Sequence, residues 1–454
     1  MSLLDESVIS RRTLTGWGNT CPSVAEIVAP RSEEQIAEVI SRAGGRGVLA
    51  RGLGRSYGDA AQNGGGTVLD MTGRDRILAI DAVSGVVEVE AGVSIDQLIR
   101  ALLPLGLFVP VSPGTRQVTV GGAIAADVHG KNHHVDGSFG DHVQEITLIT
   151  GDGQTHRLTS VDPLFWATVG GMGLTGVIVR ARVRMKHVST STVLVDTLRC
   201  PDLGAVLAAM QDDDRYPYSV AWLDCLARGR SLGRSVLTRG RFATVDELSA
   251  RAARNPLAVP AHTRVVAPPI FPGGLLNRAT VGAFNELWFR IAPAQRADQP
   301  QSVGAFFHPL DGVADWNRIY GGTGFLQYQV LVPLEAAETI REVVETFSGH
   351  GLASFLTVLK RMGPGNKGYL SFPKPGWTIT MDIPAGDPQV GALLDRLDER
   401  VLAVGGRSYF AKDSRMTPHS AHAMYPRLEE WNQLRSQFDP RGVFMSDLSR
   451  RVDL

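Results

Sequence analysis

The chain has 454 residues, 43% apolar and 20% charged, the make-up of a folded globular protein with material for more than one domain. Its 46 lysines and arginines balance 46 aspartates and glutamates, which argues against a general nucleic-acid binder, since such proteins need a basic excess. Cys21, Cys200 and Cys225 lie far apart without a CxxC pair, so neither a zinc site nor a disulfide framework is indicated and no metal is expected.

The N-terminus, MSLLDESVISRRTLTGWG, carries early acids and no apolar core, so no Sec signal is expected. Arg11-Arg12 lead into no apolar run, which argues against a twin-arginine signal. No stretch of about 18 uninterrupted apolar residues occurs, so no membrane-spanning helix is expected. Sequence alone therefore suggests a cytoplasmic protein. Residues 32–43 read as a helix, because Ser32 and Gln35 make a capping box before the apolar face of Ile36, Val39, Ile40 and Ala43. Short strands follow at 48–50, 67–71, 77–81 and 86–90. Ser94 and Gln97 repeat the capping box ahead of Ile95, Leu98, Ile99, Leu102 and Leu103. Residues 143–151 and 156–158 suggest a hairpin, and 175–185 a further strand.

Near residue 190 the texture changes. Strands are expected from 193–197, then at 325–332, 353–359 and 378–383, with helices at 334–348, 388–404 and 422–438. Residues 251–278 are rich in Pro, Ala and Arg and show no period. Strands and helices interleave irregularly, an α+β pattern without the rhythm of a doubly wound sheet.

Three glycine-rich loops fall within the first 180 residues. The first, Gly52-Leu-Gly54-Arg-Ser-Tyr57-Gly58-Asp59, is GxGxxxG but leads into AAQNGGG and another strand. A dinucleotide fingerprint must open directly into a helix, so a backbone nest for phosphate is the better reading. The second, PGTRQVTVGGAIAADVHGKNHH from Pro113, sets Gly121-Gly122 and small residues beside a histidine cluster. The third is GGMGLTG from Gly170. One such loop would pass for a turn; three together suggest backbone that approaches a bulky phosphorylated ligand. Gln327 and Gln329 alternate on one strand face, which is either a solvated face or a pocket for a polyhydroxy substrate. A lone lysine such as Lys412, or histidines such as His133, His134 and His308, ordinarily serve surface or structure.

These loops and the terminal FDPRGVFMSDL resemble the vanillyl-alcohol-oxidase type of FAD flavoenzymes, with the PCMH-type FAD fold. HGKNHH, AWLD, FLQYQ, YFAKDSR and HAMYPR narrow the likeness to a branch acting on a polyprenyl-phosphate ribose. The resemblance implies a two-domain α+β fold. An FAD-binding domain spans 1–190, an antiparallel-sheet substrate domain 191–406, and residues 407–454 return to the FAD domain. It places FAD against Arg51, Gly52, Leu53, Gly54, Arg55, Ser56, Tyr57, Gly58 and Asp59. Gly114, Thr119, Val120, Gly121, Gly122, Ala126, Asp127, Val128, His129, Ile178 and Tyr409 complete that set. Many relatives carry a flavin-linked histidine where Tyr57 stands, so the FAD is expected to be non-covalent.

The implied reaction oxidises the ribose C2 hydroxyl to a ketone, the first step of an epimerisation that yields the arabinose donor for actinobacterial cell-wall arabinan. Lys412, His129 and Tyr57 form the implied catalytic set, with Lys412 either the base or a charge that stabilises the alkoxide. Gln327, Gln329, Lys360, Tyr320, Thr380 and Trp222 are the expected substrate contacts, Lys360 for the phosphate. Relatives often carry a cysteine where Thr380 stands. An NADH-dependent keto-sugar reductase is the implied partner. The apolar segment 265–276 is either an ordinary loop or a contact with the membrane surface, and the resemblance places the site of action at the membrane or in the periplasm. A soluble sugar-alcohol or aldonolactone oxidase shares the FAD domain, and a non-catalytic scaffold that keeps FAD for stability is a further alternative.

Overall fold

The computed structural model describes residues 9–211, 215–259, 265–268, 274 and 276–454. The first sheet has the spatial order Ile9–Leu14, Ser23–Val28, Thr67–Asp70, Val48–Arg51. Its first pair is antiparallel and the rest parallel. The second, wholly antiparallel, runs Ile77–Asp81, Val86–Glu90, Val177–Arg184, Val143–Ile149, Thr155–Leu158. Helix Glu33–Ser41 starts at Ser32, whose hydroxyl accepts from Gln35 N. Helix Ile95–Leu102 has the full Ser94–Gln97 capping box and buries Ile95, Leu98, Ile99 and Leu102. The glycine-rich loop after Val48–Arg51 leads into strand Thr67–Asp70 and opens into no helix, which is not the Rossmann arrangement.

The third sheet has eight antiparallel strands in the order Gln295–Ser302, Thr192–Cys200, Ser235–Phe242, Tyr218–Leu223, Thr357–Met362, Gly376–Pro384, Phe325–Val332, Arg407–Ser408. Helices Leu203–Gln211, Ala337–His350 and Pro388–Ala403 pack on it. Register places Val236, Trp222, Val358, Thr380 and Gln329 in one row across five strands. Partnered residues of an antiparallel sheet share a face, so this row turns one surface toward the FAD-domain loops. Arg407–Ser408 closes the sheet's edge before the chain crosses back.

Several elements differ from the sequence expectation. The tail is two helices, Pro418–Met424 and Leu428–Phe438, not one. Pro426 disfavours helical backbone at Tyr425, which adopts φ −121°, ψ 80°. The strand expected at 353–359 is Thr357–Met362, because Ser354 bends the chain, accepting from Asp382 N at 3.0 Å and donating to Leu356 O at 2.9 Å. The helix expected from 334 begins at Ala337, after a short 3₁₀ turn at Leu334–Ala336. Much of the segment 265–276 lies outside the described residues. Among the described residues no helix is long and apolar enough to cross a membrane.

Candidate active site

Where the row of the third sheet meets the glycine-rich loops, a cavity of about 760 Å³ opens. Arg51, Gly52, Leu53, Gly54, Arg55, Ser56 and Tyr57 form one rim, and Gly114, Thr119, Gly121, Gly122, Ala126, Val128 and His129 another. Ile178 and Tyr409 line the same wall, and Trp222, Gln327, Gln329, Lys360, Thr380 and Lys412 face it from the sheet and the returning tail. Phe284, Trp288 and Phe355 make an apolar part of the wall.

The loop side is built for close backbone approach. A Cβ on Gly52 would lie 2.2 Å from Thr119 Oγ1, and that hydroxyl is already held as the N-cap of helix Val120–Ala125. Gly54 has φ +63°, a conformation that favours glycine. Gln117 also lines the cavity, and its buried Nε2 has no protein partner. A thin wall of Gly121, Gly122, Ala125 and Ala126, with an orphaned buried donor beside it, fits a flat polar cofactor such as FAD. Tyr409 stacks on Phe372 at 4.7 Å and donates its hydroxyl to Ala126 O at 2.6 Å, which fixes that wall.

The chemistry-bearing groups sit opposite. Lys412 Nζ lies 3.8 Å from the centroid of the Tyr57 ring. Burial pushes the Lys412 ammonium toward its neutral amine, Asp382 pulls the other way, and Lys360 adds to the downward shift. Asp382 is fully buried; burial raises its carboxyl, opposed by a hydrogen bond from Gln327 Nε2 at 2.5 Å and by Lys412. Lysine and aspartate are thus both driven toward their uncharged forms. Gln329 Nε2 contacts His129 Nε2 at 3.0 Å and donates to Thr378 Oγ1 at 3.3 Å. Lys360 Nζ lies 3.2 Å from His129 Nδ1. Burial, then Lys360, His133 and Lys412, hold the His129 imidazole well below its ordinary range, so it is neutral.

Five expected residues stand off the cavity surface. Gly58 is wedged under the carbonyl of Asp413, and Asp59 accepts two 2.8 Å bonds from Arg451. Val120 is core. Asp127 accepts from Ser138 Oγ, Gly140 N, Asn366 Nδ2 and Ser371 Oγ, which brace the loop, and it does not line the cavity. Tyr320 stacks on Phe325 at 4.2 Å with its buried hydroxyl unpartnered, behind Tyr57. Sequence reasoning missed Asp382 and Lys131. The only signal for either was position: Asp382 alternates with Thr380 on one strand, and Lys131 stands inside the histidine cluster.

A family model described as an FAD binding domain matches residues 24–159, and one described as D-arabinono-1,4-lactone oxidase matches residues 335–452. With the sheets and cavity above, these define an FAD-dependent oxidoreductase of the two-domain vanillyl-alcohol-oxidase type. The decaprenylphosphoryl-β-D-ribose oxidase of Mycolicibacterium smegmatis is 48% identical over 453 residues, 98% of each chain. The L-gulono-1,4-lactone dehydrogenase of Mycobacterium tuberculosis is 24% identical over 96% of this chain and 98% of its own. An uncharacterized Streptomyces coelicolor protein from the mprA 5′ region is 41% identical over 80% of this chain and 100% of its own. The chain belongs to the decaprenylphosphoryl-β-D-ribose oxidase family of FAD oxidoreductases.

Proposed function

We propose that this enzyme oxidises the ribose C2 hydroxyl of decaprenylphosphoryl-β-D-ribose to the 2′-ketone, the first step of epimerisation to the arabinose donor of cell-wall arabinan. The observation that carries this reading is the cavity's span, from the glycine-rich loops past Lys412 to the apolar wall of Phe284, Trp288 and Phe355. A sugar flanked by a lipid has need of both ends. An aldonolactone or a free alditol has no use for the apolar one.

The 51–57 and 114–129 loops would hold FAD, which when bound would supply a two-electron acceptor for the oxidation at C2. The uncharged Lys412 amine takes the hydroxyl proton, and Asp382 behind it adjusts that amine's affinity for the proton. Gln327 and Gln329 hold the ribose hydroxyls, and Gln329 and Lys360 together fix the His129 ring. A separate NADH-dependent reductase then returns hydride to the opposite face of the keto sugar. The deciding experiment is an anaerobic absorbance spectrum of the holoenzyme before and after adding a short-chain prenyl-phosphoryl ribose. Bleaching by that compound and not by free alditols or aldonolactones supports the reading, and bleaching by the polyols alone overturns it.

Tyr57 offers its ring to Lys412, and a phenol does not make the histidyl bond of covalent relatives. Acid precipitation is expected to leave the flavin in the supernatant and a colourless pellet. Thr380 faces the cavity with a hydroxyl, far less nucleophilic at neutral pH than a thiol. Nitroaromatic compounds that the holoenzyme reduces should therefore add no mass to the intact protein, whereas Thr380→Cys should gain an adduct by mass spectrometry.

Peripheral membrane contact is supported by helix Arg278–Ile291, where Leu287 (59% exposed), Trp288 (48%) and Ile291 (70%) form an apolar face beside the cavity. Anionic liposomes should sediment the protein, and Leu287→Ser with Ile291→Ser should release it.

A further inference from the structure

We propose that Lys131 and Lys360 form a phosphate-docking subsite whose charge is set by the substrate itself, so that binding of the phosphoryl sugar takes up a proton. This rests on the lipid-phosphate reading above and assigns Lys131 a part in it.

Both side chains line the cavity. Lys360 extends from strand Thr357–Met362, its Nζ against His129 Nδ1. Lys131 stands between His129 and His133, donates to the Phe306 carbonyl, and lies 4.3 Å from the centroid of the Phe306 ring. The charged groups around them are of one sign or otherwise engaged. His129 and His133 are neutral bases held down by burial and by Lys360. Lys412 lines the same cavity, near enough for Lys360 to lower it. Of the carboxylates on adjoining elements, Asp136 binds Lys186 and Asn132, Asp127 binds the Ser138 and Ser371 hydroxyls, and Asp382 accepts from Gln327. Tyr218, on the strand beside Lys131, is held in its neutral phenol form by burial.

Two buried ammonium groups without a carboxylate repel each other and have lost their hydration. Burial brings Lys131 down to about 7, with Lys360 adding to the shift, and burial brings Lys360 down to about 8. Near neutral pH the vacant subsite therefore sheds part of its charge. A phosphodiester carries one negative charge and does not titrate in this range, so it supplies the missing counter-ion. The amines then bind their protons more tightly, and linkage requires uptake on binding. The sign follows: docking is strongest below the lysines' depressed values and weakens as pH rises through them. The opposite trend is expected of the chemical step at Lys412, so the two separate as KM against kcat.

The experiment compares a farnesylphosphoryl ribose with a farnesyl riboside that lacks the phosphate, across pH 6.5 to 9.5, on holoenzyme. For the phosphorylated compound KM is expected to rise by on the order of tenfold per pH unit above pH ~8. For the riboside it should stay flat while kcat shows the same pH limb. Lys131→Gln and Lys360→Gln should each raise KM for the phosphorylated compound by ~10-fold or more and flatten its pH dependence. For Lys131→Gln the flavin absorbance and the kcat on the riboside should be retained, which separates loss of docking from misfolding. A KM that is independent of pH, or that Lys131→Gln leaves unchanged while the phosphorylated compound still bleaches the flavin, overturns the subsite. Failure of that compound to bleach the wild-type flavin at any pH overturns the substrate reading instead.

Discussion

Lys412→Ala should keep its FAD and lose turnover by about 10²–10⁴-fold, the usual worth of a positioned base. The side chain meets the first glycine-rich loop at the Tyr57 ring, and its removal leaves the backbone of that loop in place, so the flavin spectrum should be unchanged. In the wild type, substrate-driven bleaching should accelerate as pH climbs through neutral, because burial lowers the Lys412 ammonium and only the free amine accepts a proton. Asp382 is the neighbour that raises it, so Asp382→Asn should carry the acid limb to lower pH while keeping a side chain for Gln327 to bond. Stopped-flow bleaching against pH reads both. A rate that falls with rising pH would instead make Lys412 a cation that stabilises the alkoxide, and a variant within tenfold of wild type would remove it from the mechanism.

Gly58→Ala should be nearly as damaging from a position off the cavity surface. A Cβ there would lie 1.9 Å from Asp413 O and 2.8 Å from its carbonyl carbon, and both are backbone atoms that no rotamer change can move. The same joint carries the bond from Tyr57 N to Ala411 O at 2.9 Å, so opening it displaces Lys412 from Tyr57. Overpacking of this kind costs about 1–3 kcal/mol. A catalytic group moved by ~1 Å costs on the order of 10²-fold in rate. Thermal melting and kcat of the FAD-saturated variant check the two effects. Gly73→Ala, with nothing within 4 Å of its added methyl, serves as the neutral control.

Local signals were legible in the sequence where one segment determines its own structure. The Ser32 and Ser94 caps mark helix starts because a side chain satisfies a backbone donor three residues on. Strand Phe325–Val332 reads from its apolar alternation around Gln327 and Gln329. Strand Gln295–Ser302, QRADQPQS, has no such signal: it is a polar edge strand, and Pro300 is tolerated there because an edge does not need every N–H. The same divide runs through the site. Glycine-rich loops announce close backbone approach, so the cradle is visible. The row Val236, Trp222, Val358, Thr380 and Gln329 exists only through pairing between strands far apart in the chain. Asp382 reads as an ordinary polar strand residue until Gln327 is found beside it. Tyr320 reads as a ligand contact until its ring is found stacked on Phe325.

The crossing of the tail has a consequence for biosynthesis. Phe444 bridges to Val48, Asp447 N bonds to Gln62 O at 2.7 Å, and Arg451 clamps Asp59. Tyr409 and Lys412 stand in the cavity wall itself. A nascent chain that has emerged through the whole N-terminal region still lacks one side of its nucleotide cradle. Cofactor capture is thereby expected to wait until residues 409–451 have emerged, and a ribosome stalled before residue 409 should hold a chain that retains no flavin.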